Sequence, residues 1–559
     1  MQAGAIAILI DDLRNADISV RLNSLKSVAD VAVALGPFRT RSELIPFLQD
    51  MSDDEDEIIN TLACKLGEFV ELVGGPEFAV CLIQPLEHLC SVEDPTIRES
   101  ALGSLRKVLE RIPLQEVPVH TVPLIDRLIS SDWFVCRVTA CSVASCALRR
   151  VFHISVFRQV IQLSREEPPT VRRSALTALS ELGNAVPVEL IPEWISAIET
   201  ISRDEEESVR AACAGSYVTA LKTTSHAARS AVVNDFVRAC IQSCDDHSWR
   251  VRMAFAHVIA DNVNEFSGSN LSDIRSCALK YISDSDLEVR SAIIGKWAFL
   301  IDESGDESFV ERLVKHVERA ANDTSENVRL SLASSFSESC IKTTVPVETV
   351  LNIFLTLLRD DSSSVRLKAL SHLPNLTRII NSTVLKFSIL PALKELLSDR
   401  NWRLRRSVIE LIPEISFVFD DRPSIEDLFE CLTKFLVDAV YSVRESTANA
   451  FGKIYPIIVS NSLEARFLHE LEGIIRDSNY LHRMAAISAI AHVYHITAHE
   501  TKLKLNDLLG ICAADKVANV RLHLLKMLSE YDKDSISTHK TLLEDTDIDV
   551  RTLASTCIA

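Results

Sequence analysis

Three histidines, His492, His495 and His499, recur at three- and four-residue steps, a spacing that on one helix would bring imidazoles to a common face as metal ligands. No carboxylate or cysteine completes a coordination set within that stretch, so surface or core histidines are the simpler reading. The 14 cysteines are scattered without a C-x-x-C pair, and Cys136, Cys141 and Cys146, spaced five apart, drift around a helix instead of converging on an ion. A Gly-rich phosphate loop, a G-x-S-x-G elbow and an H-E-x-x-H motif are all missing from the sequence. The expectation is a chain that is not an enzyme, with no catalytic residues, no cofactor and no metal.

Charge narrows the partners. A formal net charge of -19 argues against a phosphate backbone, which needs clustered Lys and Arg, so no nucleic acid is expected. The acidic run Asp53 to Glu57 reads as a solvated turn. Met1 to Asp12 carries no basic leader pattern, and its apolar run Ala5 to Ile10 is too short for a signal core or a membrane span. With cysteines read as small buried hydrophobes in a reducing compartment, the expectation is a protein of the cytoplasm, or of cytoplasm and nucleus, without membrane insertion.

What remains must be organised by a larger pattern, and one runs down most of the chain. An Asp followed six residues later by an Arg recurs as Asp204/Arg210, Asp246/Arg252, Asp284/Arg290, Asp323/Arg329, Asp360/Arg366, Asp399/Arg405, Asp438/Arg444, Asp477/Arg483, Asp515/Arg521 and Asp545/Arg551. From Asp246 to Asp515 the steps are 37 to 39 residues, the period of two-helix repeats of the HEAT and armadillo kind. Upstream, Arg172 (with Glu166 in the Asp place), Arg137, Arg98, an Arg-less unit at Asp54 to Asn60, and Arg21 extend the frame to about fifteen units. The fold expected is all-α, an α-solenoid (superhelix) of about fifteen HEAT repeats, each an antiparallel helix pair. The short last step, Arg521 to Arg551, suggests a shortened terminal cap.

One unit shows the design. Leu428, Cys431, Leu432, Phe435 and Leu436 follow amphipathic helical spacing, and after a turn at Asp438 to Tyr441 a second helix is expected from an N-cap at Ser442 to about Ile454. A Val usually precedes the Arg and locks the turn. Each Asp can reach its own or the next repeat's Arg, and such partly exposed pairs are worth only about 0 to 1 kcal/mol.

The third residue before each Arg is mostly bland: Pro95, Glu207, Glu326, Ser363 and Ala518. Trp249, Trp402, Tyr441 and Tyr480 break that rule, Trp133 sits one residue earlier in its repeat, and Arg250 and Arg403 follow two of the tryptophans. Trp, Tyr and Arg dominate protein-protein hot spots. Trp402, Tyr441 and Tyr480 fall at successive 39-residue steps and should line one edge; Trp133, the Arg172-Arg173 pair and Trp249-Arg250 form a separate zone. His482 occupies the place of the buried Val, with Leu481 beside it able to take the core slot.

The turn segments Ser131 to Arg137, Pro169 to Arg173, Ser248 to Arg252, Asn401 to Arg405, Val440 to Arg444 and Asn479 to Met484 closely resemble, in order, those of the scaffold (A-type) subunits of protein phosphatase 2A, a HEAT-repeat family. The resemblance extends over essentially the whole chain; Val135-Cys136 departs from the small polar pair usual in the fourth repeat. It implies a non-catalytic scaffold that binds a phosphatase catalytic subunit together with one regulatory (B-type) subunit, forming a heterodimer or heterotrimer. By motif, Trp402, Arg403, Tyr441, Tyr480, His482 and Met484 would face the catalytic subunit. Trp133, Pro169, Arg172, Arg173, Trp249 and Arg250 would face the regulatory one, Arg172 doubling as a ladder residue. The regulatory part would span 1-381 (repeats 1 to 10) and the catalytic part 382-559 (repeats 11 to 15) of one continuous solenoid. A nuclear-transport receptor or another HEAT adaptor is the competing reading. A HEAT-type metal hydroxylase is a weaker one, because His469-Glu470 and His499-Glu500 are only two of the four His-Glu dyads such an enzyme needs.

Overall fold

The computed structural model describes residues 10–301, 306–336, 345–378, 380, 382–419, 421–531 and 537–558. Most of the run Ala5 to Ile10, and residue 381 at the expected partner boundary, lie outside them. Among the described residues there is no strand, and the chain is an all-α solenoid of helix pairs. No helix of the described residues is long and apolar enough to cross a membrane.

The chain divides into two compact units, Met1–Val289 and Arg290–Ala559. In the first, the second helices of successive pairs, Pro95–Arg111, Phe134–Arg150, Pro169–Leu182, Glu207–Thr223 and Trp249–Asp261, pack side by side. In the second, Ser363–Leu370, Trp402–Ser416, Tyr441–Ser460, Tyr480–Tyr494, Ala518–Tyr531 and Ile548–Ile558 do the same.

Apolar spacing makes the pairs. Helix Arg422–Phe435 buries Leu428, Leu432 and Phe435 against its partner Tyr441–Ser460, whose Val443, Phe451 and Ile454 face inward, with the Phe429 and Phe451 rings 6.1 Å apart. The second helix starts at Tyr441, one residue before the expected cap, and runs past Ile454 to Ser460. The cap position falls on Val440, which makes no side-chain cap bond, while Oδ1 of Asp438 accepts the Val440 amide at 2.8 Å and closes an Asx turn before the helix.

That Asx turn recurs wherever the ladder Asp is present, for example from Asp246 to the Ser248 amide at 2.9 Å and from Asp399 to the Asn401 amide at 2.7 Å. The Asp carbonyl, meanwhile, accepts Nη1 of the Arg six residues later, as between Arg405 and Asp399 at 2.9 Å. The same guanidinium turns its other edge to the following repeat: Arg405 gives Nε and Nη2 to Asp438 at 2.8 and 2.9 Å, and Arg329 to Asp360 at 2.6 and 3.1 Å. Arg172 to Asp204, Arg252 to Asp284 and Arg290 to Asp323 are built alike, whereas Arg366 reaches Asp399 through Nη2 alone, at 2.9 Å. Each Asp thus reaches its own Arg, as expected, but through its carbonyl; its carboxylate goes to the Arg of the preceding repeat and not to that of the next.

The value of about 0 to 1 kcal/mol expected for a partly exposed pair does not fit these rungs. The Arg405 and Asp438 side chains are only 13% and 7% exposed and bond at two points. Removing one member of such a pair strands a buried charge, at a cost of about 3–5 kcal/mol.

Three rungs are missing. Between the second and third repeats both members are replaced together, by Asn60 and Val92. At the next step Ser131 stands in the Asp place, and Arg98 keeps only backbone partners, among them the Val92 carbonyl at 3.0 Å. Arg444 likewise bonds only the carbonyls of Asp438 and Ala439, at 2.7 and 3.1 Å, although Asp477 is present in the next repeat.

Candidate functional site

Residue type alone does not mark the turns. Of the five tryptophans, Trp194 and Trp297 are fully buried, and the Trp194 indole N–H donates to the Leu179 carbonyl at 2.8 Å. Trp133, Trp249 and Trp402 instead sit at helix starts.

In the second unit, Trp402, Tyr441 and Tyr480 are the first residues of three helices packed in sequence, Trp402–Ser416, Tyr441–Ser460 and Tyr480–Tyr494. The first residue of each of these helices lies at the turn, outside the inward-facing set that begins two residues later with Leu404 and Val443. The expected edge of aromatics therefore forms: Tyr441 is 60% and Tyr480 37% exposed, and Trp402 is half-buried. Arg403 is exposed, with its guanidinium carbon 4.7 Å from the Trp402 ring centre, so the pair presents an aromatic face backed by a cation. Behind Tyr441 lies Glu445: burial and that carboxylate raise the Tyr441 phenol above its ordinary range, while His492 holds the Glu445 carboxyl below its own.

His482 and Met484 follow Tyr480, both half-buried. Leu481 does not take the core slot, since it and His482 are both half-buried. Its Nδ1 lies 3.1 Å from Asp477 Oδ2 and its Nε2 3.1 Å from Asn479 Nδ2, so the ring bridges the two side chains of the turn. The Asn479 amide and this histidine hold the Asp477 carboxyl below its ordinary range. Asp477 is engaged here instead of by Arg444.

In the first unit, Trp133 caps helix Phe134–Arg150 and is 53% exposed. The position third before Arg137 is Phe134, 46% exposed, and it is this ring that lines a groove of about 270 Å³ with Arg98, Arg173, Val135, Val138, Thr170, Ser174 and Thr177. Phe134 was missed in the sequence, although the three-residue offset points to it. Pro169 opens helix Pro169–Leu182, half-buried. Arg172 is 7% exposed and locked to Asp204 by two bonds of 2.6 and 2.7 Å, which makes it a rung, while Arg173 reaches the groove. Trp249 is half-buried; Arg250 stands 4.9 Å from its ring centre and 3.1 Å from Glu207. One repeat, Glu207–Thr223, lies between this turn and Pro169–Leu182.

The residues that could have carried chemistry do not converge. His492 belongs to one helix, His495 caps its end and His499 opens the next, so the three do not share a helical face. Among the described residues no group of three or more His, Cys, Asp or Glu could hold a metal. Cys136, Cys141 and Cys146 are buried, and burial pushes the Cys141 thiol up to about 12.

Similar proteins include the 65 kDa regulatory subunit of serine/threonine-protein phosphatase PP2A of Drosophila melanogaster, 45% identical over 189 residues, or 33% of this chain and 32% of the relative. The human beta isoform of the 65 kDa regulatory subunit is 43% identical over 187 residues, 33% and 31% of the two chains. The A-type PP2A regulatory subunit of Saccharomyces cerevisiae is 33% identical over 276 residues, 47% and 44% of the two. The matches thus span about a third to under half of the length of these relatives. No protein-family profile matches the chain. Among solved structures, the karyopherin Kap121p bound to Nup53p superposes with a TM-score of 0.62 at 12% identity, covering 97% of this chain and 58% of that one, a likeness of fold alone. The sequence relatives and the turn motifs agree, and over the matched part of its length this chain is a homologue of the 65 kDa (A-type) regulatory subunits of protein phosphatase 2A.

Proposed function

We propose that the chain is a non-catalytic scaffold of a protein phosphatase 2A complex in the cytoplasm or nucleus. It holds the catalytic subunit on the turns carrying Trp402, Arg403, Tyr441, Tyr480, His482 and Met484. An exchangeable B-type regulatory subunit sits on the turns carrying Trp133, Phe134, Pro169, Arg173, Trp249 and Arg250. The observation that carries this reading is the row of helix-opening aromatics at three successive repeats, where a structural repeat needs none. Its mechanism is effective concentration: two partners on one body meet as an intramolecular pair, which raises their local concentration into the mM range for short tethers.

Co-purification from native lysate tests the class. A phosphatase catalytic subunit recovered at one to one supports the scaffold; a small GTPase in its place contradicts it.

A further inference from the structure

Ser131 performs two of the three tasks of a ladder Asp. Its Oγ accepts the Trp133 amide at 3.3 Å, and its carbonyl accepts Nη1 of Arg137 at 2.7 Å. It lacks the carboxylate that would close the rung to Arg98 in the preceding repeat. Arg98 uses only Nη1, on the carbonyls of Val92 and Glu93 at 3.0 and 2.5 Å. Its Nε and Nη2, the pair that Arg405 turns to Asp438, have no acceptor among the described residues. Two nearby carboxylates do not substitute: Asp94 caps its own helix on the amides of Thr96 and Ile97, at 2.8 and 3.0 Å, and Asp132 is exposed without a bond to Arg98. At the gap one repeat earlier the arginine is lost as well, to Asn60, so no cation is stranded there. Here the cation stays and its acceptor is gone.

The surroundings of that guanidinium favour an anion from outside. Arg98 lines the groove of about 270 Å³ beside Phe134, and Arg173 lines it from the helix Pro169–Leu182. The Arg173 side chain makes no hydrogen bond or ion pair among the described residues. No Asp or Glu lines the groove, although the chain carries a net charge of -19. The Ser174 and Thr177 hydroxyls already donate to the carbonyls of Thr170 and Arg173, at 2.9 and 3.0 Å, so the two guanidiniums are the donors with edges to spare. Phe134, Val135 and Val138 give the groove an apolar side. A guanidinium fork matches a carboxylate at two points, which is how the closed rungs of this chain use it.

We propose that the unfilled rung is a socket for a carboxylate supplied in trans. An Asp or Glu side chain of the B-type regulatory subunit takes the place that Ser131 leaves empty, bonds Nε and Nη2 of Arg98, and draws Arg173 onto its outer face, while its neighbouring apolar residue rests on Phe134. This inference rests on the scaffold reading and names the chemistry by which the groove recognises its partner. It sets internal stability against affinity, because the same two donors either brace the next repeat or hold the partner.

The test gives the full chain its missing carboxylate. In Ser131→Asp, hydrogen exchange at the start of helices Pro95–Arg111 and Phe134–Arg150 should slow by about tenfold, as a charge-assisted rung closes. In calorimetric titration the same variant should bind a purified B-type regulatory subunit at least about tenfold more weakly, with catalytic-subunit affinity held within about twofold. Arg98→Gln should lose regulatory-subunit affinity to a similar degree, and adding Ser131→Asp to it should cost no more than about twofold further, because both changes act on one bond. Full regulatory-subunit affinity in Ser131→Asp or in Arg98→Gln overturns the socket. So does exchange that fails to slow, since residue 131 would then not reach Arg98. A Ser131→Asp effect that persists undiminished beside Arg98→Gln also overturns it, as general repulsion of an acidic partner. An unmodified chain that binds no regulatory subunit overturns the scaffold reading itself, and the socket with it.

Discussion

Arg405 and Arg444 occupy equivalent places one repeat apart, and each faces a repeat that supplies the matching aspartate, Asp438 and Asp477. Arg405 closes its rung with two bonds, whereas Arg444 stays on backbone carbonyls while Asp477 accepts from His482. The difference lies in one side chain. Where the frame has Val or Leu before the Arg, the carboxylate is free for the preceding repeat; where it has His482, the imidazole reaches back five residues and takes it. An inter-repeat ion pair therefore depends on what else competes for the acceptor, beyond the presence of both partners. The open rung adjoins Tyr441 and Tyr480, inside the candidate catalytic-subunit zone.

Removing each arginine should break this comparison most visibly. Arg405→Ala leaves Asp438 buried without its cation and should lower the local opening free energy by about 3–5 kcal/mol. Arg444→Ala forfeits two carbonyl bonds and a long contact with the Tyr441 ring but strands no paired carboxylate, and should cost about 1–2 kcal/mol. Hydrogen exchange of helices Trp402–Ser416 and Tyr441–Ser460 reads both, and equal losses would contradict the distinction.

The first unit offers a parallel contrast between Arg172, locked in a rung, and Arg173, which lines the groove with Phe134. Phe134→Ala should weaken a B-type regulatory subunit by about tenfold, on the scale of a moderate hot spot, in calorimetric titration. Affinity for the catalytic subunit should hold.

Acid should act more gently and on the closed rungs together. The Arg521 guanidinium holds Asp545 below the ordinary value of 3.8; at Asp246 burial works upward but the Arg210 and Ser248 bonds outweigh it, with the same net direction. A folded-state value below the unfolded one gives stability that is complete above the unfolded value and is lost as pH falls through the folded one. Urea midpoints should stay flat from neutral pH down to about 5 and fall below about 4. A fall already between pH 7 and 5 would assign the stability to other groups.

Much of this fold was legible because it repeats. Asp-x5-Arg at a fixed period gave the helix pairs, and the aromatic interruptions gave the exposed edge formed by Trp402, Tyr441 and Tyr480. The atoms were not legible: a carboxylate and a carbonyl on the same Asp take different partners, which only the stacked geometry decides. Ser442 looked like a cap because it is a favoured capping residue at the turn, yet the helix already begins one residue before it, behind the Asx turn of Asp438. His482 escaped because its competition with Arg444 joins residues 38 apart in sequence. Phe134 could have been found by applying the three-residue offset strictly, since it is masked only by the more conspicuous Trp133 beside it.

The most direct test of the scaffold account is equilibrium binding of purified phosphatase 2A catalytic subunit to the Trp402→Ala/Tyr441→Ala chain, with Trp133→Ala/Arg173→Ala as the control. Loss of two adjacent hot-spot aromatics should raise Kd by about 100-fold or more, while the control stays within about threefold of the unmodified chain. Unchanged affinity in the first variant, or equal loss in both, would contradict the assignment of the catalytic subunit to the C-terminal turns.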